Sequence, residues 1–145
     1  MNESRLPNPS GLPPPLVVSR LDCDRLDALL ETPLAAGHDT DGLRRELDRA
    51  DIVEPAQMPP DVITMNSIIR FVDETSGAER EITLVYPRDA DGSGERISIL
   101  APVGSALLGL RVGARIAWPL PGGRTTQLRV LALPYQPEAA GDLHR

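Results

Sequence analysis

Lysine is absent from this 145-residue chain, cysteine occurs once, and only Phe71, Tyr86, Trp118 and Tyr135 are aromatic. Each scarcity removes a class of protein. A lone Cys23 can form neither an internal disulfide nor a thiolate zinc cluster, which excludes the stapled secreted class and points to a reducing intracellular setting. Without lysine there is no Schiff-base chemistry and no Gly-Lys-Ser/Thr phosphate loop. No apolar run approaches the roughly 18 residues of a spanning helix, and Arg5 is followed by prolines rather than by the apolar stretch of a signal peptide. The chain therefore reads as soluble, untargeted and cytoplasmic.

Excess positive charge is missing too. Fifteen arginines stand against 21 acidic residues, giving a net charge of -6, and the acidity is concentrated in residues 1–55. A duplex binder carries clustered cations and a single-strand binder adds aromatic platforms. Neither pattern is present, so direct sequence-specific binding of nucleic acid is not expected.

What the chain does have is proline, 15 residues of it. Five fall in residues 1–15, read as a disordered tail with little to bury. Leu16, Val17 and Val18 then form a short extended run that needs an edge strand or the body of the protein to pack against. Helical signals follow: Ser19 and Asp22 at capping-box spacing, and Cys23, Leu26, Leu29 and Leu30 on one face, ended by Thr32 and Pro33. A second helix is expected from near Thr40 to Pro55, with Leu43, Leu47 and Ala50 on one face and Asp41 placed to support Arg45. Residues 16–56 thus read as a short antiparallel helical hairpin, coiled-coil-like, with arms of about 10 to 12 residues.

Beyond Pro55, Pro59 and Pro60 the apolar period changes from 3.6 to 2. Five strand candidates follow: Ile63 to Phe71, Ile82 to Tyr86, Ile97 to Ile99, Ile116 to Leu120, and Leu128 to Val130. Their turns are Ser76-Gly77, Asp91-Gly92-Ser93-Gly94 and Pro121-Gly122-Gly123. Pro102 to Gly109 reads as one short helix, opened by proline and stopped by glycine. Residues 57–145 are therefore expected to form an antiparallel sheet with one helix, and the fold class is α+β.

Catalytic chemistry is hard to find. Neither His38 in the hairpin link nor His144 near the end sits beside a nucleophile, Cys23 lies on an apolar helix face, and Ser105 is outside any Gly-x-Ser-x-Gly elbow. Asp89 to Gly94 imitates the first half of a calcium loop, but position 12 would be Leu100 and the flanks are strands, which favours a hairpin turn. Asp39 and Asp41, beside His38, are read first as helix caps and second as a metal or partner site. Leu107 and Leu108 suit a plug in the concave face of the sheet, while the Pro102 end of the same helix suits docking; the two readings are compatible. No catalytic residue, metal or cofactor is expected.

Pro102 to Gly113 carries the pattern Pro-Val-x-x-Ala-Leu-Leu-Gly-x-x-Val-Gly, and in this order after a helical hairpin it resembles the bacterial Gre factors, with their FKBP-like sheet domain. LRRELDRA at Leu43 to Ala50, MPPDVITMNS at Met58 to Ser67, TLVYP at Thr83 to Pro87 and YQPEAAGD at Tyr135 to Asp142 resemble, more narrowly, the regulators of nucleoside diphosphate kinase. The resemblance runs from about Leu16 to Asp142. It implies a non-enzymatic, monomeric transcription regulator that binds RNA polymerase at the rim of the secondary channel and competes with Gre factors. By similarity Ala101, Pro102, Val103 and Ser105 form the docking edge, and the hairpin tip, His38, Asp39 and Asp41, faces the channel. The Gre tip motif is absent and the arms are short, so no stimulation of transcript cleavage is expected, and an effect on nucleoside diphosphate kinase level would be indirect. Two rivals stand beside this reading. One is a prolyl isomerase of the FKBP type, disfavoured by four scattered aromatics; the other is an interaction module acting directly on a nucleotide-metabolism enzyme.

Overall fold

The computed structural model describes residues 16–92, 94–119 and 121–143. The proline-rich tail, Ser93 of the calcium-like loop, Leu120 of the fourth strand candidate and His144 lie outside the described residues.

Ser19 starts the first helix as read: its Oγ accepts the Asp22 N–H at 3.0 Å, satisfying one of the donors a helix start leaves open. Helix α1 spans Arg20–Leu30 and buries Asp22, Cys23, Leu26 and Leu30. Burial pushes the Cys23 thiol pKa up, the direction of an inert core cysteine. At the other end Arg44 donates from Nη2 to the Leu30 carbonyl at 2.7 Å, so a side chain of the next helix closes the end of the first.

That next helix, α2, covers only Asp41–Asp48, with Leu43 and Leu47 buried. It does not reach Pro55. The chain instead leaves the helix and forms strand β2, Asp51–Val53, which pairs in parallel with β1, Val17–Ser19, in the register Val18↔Ile52. Two forces favour this ending. β-Branched Ile52 and Val53 are poor continuations of a helix, and the extended run before α1 needs a hydrogen-bonding partner, which it finds here and in the Asp51 N–H to Leu16 carbonyl bond of 2.7 Å.

The larger sheet runs β5-β4-β3-β7-β6. Its strands are β3 Ile68–Asp73, β4 Glu79–Val85, β5 Arg96–Ser98, β6 Arg115–Pro119 and β7 Thr125–Tyr135. All five candidates are present, with two corrections. Ile63 and Met65 are buried but not in a strand, because Thr64 and Ser67 hydrogen-bond to each other through a turn in which Asn66 adopts φ +67°. And β5 joins β4 in parallel, Leu84↔Ile97, so the sheet is not wholly antiparallel. Asp91, Gly92 and Gly94 accordingly lie on a crossover from β4 to β5, not in a hairpin turn. Alternation of apolar residues is the same in both pairings, so the local pattern carries no sign of the direction.

Ile69 and Phe71 from β3, Ile82 and Leu84 from β4, and Leu128 and Val130 from β7 fill one core. Val18, Leu26, Leu30, Leu43 and Leu47 of the N-terminal part belong to the same apolar cluster. At about 1.5 to 3 kcal/mol per fully buried large aliphatic side chain, this shared burial binds the two halves of the chain together.

Candidate protein-docking surface

Helix α3, Pro102–Leu107, is wedged against the end of β5. Pro102 takes the first helical position, where its missing N–H is no loss. A Cβ on Gly104 would stand 2.0 Å from the Ser98 carbonyl oxygen, so only glycine permits this approach. Ser105 Oγ donates to the Ile99 carbonyl at 2.7 Å, and Leu107 and Leu108 are buried, as read for the plug. Gly109 then turns the chain at φ +84° over the Leu16 side chain. Pro102 is exposed, with Ala101 half-buried beside it; Val103 is half-buried and packs in part against the core, and Ser105 spends its hydroxyl on the inner contact.

His38 and Asp39 are exposed on the loop between a 3-10 turn at Pro33–Ala35 and α2, and Asp41 opens α2. One cap bond is made: Asp39 Oδ1 accepts the Asp41 N–H at 3.3 Å. Thr40, at the cap position, makes no such bond, and its hydroxyl accepts from Arg44 Nε at 3.2 Å. The expected support of Arg45 by Asp41 is absent, since no ion pair joins them.

The two groups of residues singled out from the sequence meet. Gly37, His38, Asp39, Asp41, Leu43 and Arg45 form one side of an open cleft of about 550 Å³, and Leu100, Pro102 and Ser105 form the other. Leu100, the residue that would close a calcium loop, is buried in its floor.

A second cluster was not anticipated. Asp22, read from the sequence only as part of the helix start with Ser19, is 3 % exposed at the junction of α1 and the sheet. Its Oδ2 accepts the Met65 N–H at 3.1 Å and its Oδ1 the Tyr86 hydroxyl at 3.5 Å. Burial, and after it the charge of Glu138, push its pKa up to about 7, against the pull of the Met65 N–H, Arg25 and Tyr86. Glu138 itself accepts from Thr64 Oγ1 at 2.8 Å. The local signal for the inward position of Asp22 is its spacing, four and eight residues before Leu26 and Leu30.

The aromatics do not assemble into a proline-clasping pocket. Phe71 is in the core with Trp118 edge-on at 6.0 Å, Tyr86 is at the Asp22 junction, and the Tyr135 hydroxyl bonds Asp142. Among the described residues no helix is long and apolar enough to cross a membrane.

The curled five-stranded sheet with a proline-led helix at its edge has a fold of the GreA/GreB C-terminal type, and the short helical segment precedes it. Residues 58–135 match the family "Transcription elongation factor, GreA/GreB, C-term", and residues 14–53 match "Rnk N-terminus". The chain is 52% identical over 130 residues to the regulator of nucleoside diphosphate kinase of Escherichia coli (strain K12), covering 89% of this chain and 96% of that protein. It is 33% identical over 91 residues to the transcription elongation factor GreA of Clostridium perfringens (strain SM101 / Type A), covering 63% of this chain and 57% of that one. The solved structure of a prokaryotic transcription elongation factor GreA/GreB from Nitrosomonas europaea superimposes with a TM-score of 0.77 at 51% identity, over 85% of this chain and all of that one. The chain belongs to the regulator of nucleoside diphosphate kinase family, whose C-terminal part is of the GreA/GreB type.

Proposed function

We propose that this protein is a non-enzymatic transcription regulator that binds RNA polymerase at the rim of the secondary channel, competes there with Gre factors, and does not stimulate transcript cleavage. The observation that carries the reading is the seating of α3. Gly104, Ser105, Leu107 and Leu108 fix the helix from beneath, which presents Ala101, Pro102 and Val103 as a preformed edge with little left to order on binding. The absence of cleavage follows from reach. Helices of 11 and 8 residues are about 16 and about 12 Å long, and the loop between them borders the α3 cleft instead of standing clear as a probe. Any effect on nucleoside diphosphate kinase, the enzyme in the relatives' name, is then an indirect consequence of altered transcription.

Pro102→Arg places a charge on the edge without entering the core. With its melting temperature unchanged, this variant loses at least about tenfold in affinity for purified polymerase, since a compact apolar anchor is replaced by a long charged side chain that blocks the edge and must be stripped of water. Retention equal to that of the unmodified protein removes α3 from the interface. On backtracked elongation complexes the unmodified protein leaves the cleavage rate at background; robust cleavage, lost in Asp41→Ala, contradicts the argument from reach.

A further inference from the structure

The hairpin loop and α3 are far apart in sequence, yet they face each other across one cleft. Its floor is apolar, from Leu43 and Leu100, and Pro102 stands at its lip. Its loop side carries Asp39 and Asp41, both exposed, against Arg45 as the one guanidinium among the described lining residues. Neither acid forms an ion pair among the described residues, and Asp39 uses only Oδ1, on a backbone N–H.

We propose that the Gly37–Asp41 loop and α3 are the two walls of a single binding cleft, and that RNA polymerase fills it with an arginine or lysine side chain carried next to an apolar residue. This rests on the docking reading above and replaces a separate, channel-facing role for the loop. The chemistry of the walls selects the occupant. A long cationic side chain has an apolar stem, which covers Leu100 and Pro102, and a charged head, which reaches the carboxylates at the mouth. Hydrogen bonds from such a head to a carboxylate are charge-assisted, and a guanidinium can bind in two-pronged fashion. An acidic or purely apolar segment would leave Asp39 and Asp41 opposed or stripped of water. The loop therefore adds attraction and orientation to an edge that is otherwise apolar.

The test is the affinity of purified polymerase for the full chain and five variants, Pro102→Ala and Pro102→Arg each alone among them, read by displacement of the labelled protein. Asp39→Asn with Asp41→Asn keeps the oxygen that accepts the Asp41 N–H while removing both charges, and thermal melting verifies the fold. Binding weakens about tenfold at about 0.05 M salt, and the difference shrinks to about twofold at about 0.5 M as the charges are screened. Adding Pro102→Ala to that pair costs less than the product of the separate losses, because either change already displaces the same occupant. Arg45→Ala binds about threefold more tightly, a gain that misfolding cannot mimic. Losses that multiply, or loop variants that bind like the unmodified chain while Pro102→Arg fails, overturn the shared cleft and leave α3 docking intact. If Pro102→Arg also binds normally, the docking reading falls with it.

Discussion

Asp22 is held by the Met65 N–H and the Tyr86 hydroxyl in a place where water does not follow, with the Glu138 charge nearby. Its pKa, near 3.8 in an open chain, stands at about 7 in the fold. The folded state therefore binds this proton more tightly than the unfolded state. The stabilisation is complete below about pH 4 and is lost as pH rises through about 7, so this group lowers stability in alkaline solution. The ceiling of the effect is on the order of 4 kcal/mol. Asp22→Asn retains an oxygen for the Met65 N–H and carries no charge. Urea midpoints measured from pH 5 to pH 8.5 fall for the unmodified protein and stay level for Asp22→Asn, which becomes the more stable of the two at the alkaline end. Parallel pH profiles would mean that the carboxyl is hydrated.

Among the elements, α3 depends most on a single atom that is not there. Gly104→Ala must move the Ser98 carbonyl or tilt the helix, at a cost of about 3 kcal/mol, which for a chain of this size lowers the melting temperature by roughly 6 to 10 °C. Polymerase affinity falls in parallel, because the Pro102 edge moves with the helix; a variant that melts normally shows that α3 sits further from β5. This helix was legible in the sequence, where Pro102 and Gly109 mark its ends through the missing N–H and the positive φ. So was α1, whose cap bond from Ser19 is local. Strand β2 was not, since Asp51–Val53 becomes a strand only by pairing with Val17–Ser19 across two helices. The parallel joining of β5 is equally non-local, set by the register Thr83↔Arg96. For Asp22 the helix marks only the face it shares with Leu26 and Leu30; its partners Met65, Tyr86 and Glu138 are all distant in sequence and come from the fold. Most residues of the cleft, His38, Asp39, Asp41, Leu43, Arg45, Leu100, Pro102 and Ser105, were named from the sequence; their meeting was the part that only the fold supplies.

On the scale of the whole molecule, the short hairpin shares one core with the sheet, and its α2 helix is fixed to α1 by the Arg44 to Leu30 bond. In the proposed reading such a hairpin braces the docking face and does not act as an arm. A factor built this way would occupy the entrance used by Gre factors without carrying their chemistry inside. Competition for polymerase tests that claim most directly. With labelled GreA bound to core polymerase and this protein titrated in, the account predicts complete displacement of GreA, with no displacement by Pro102→Arg at the same concentration. Formation of a ternary complex, with both factors on one polymerase, would contradict it.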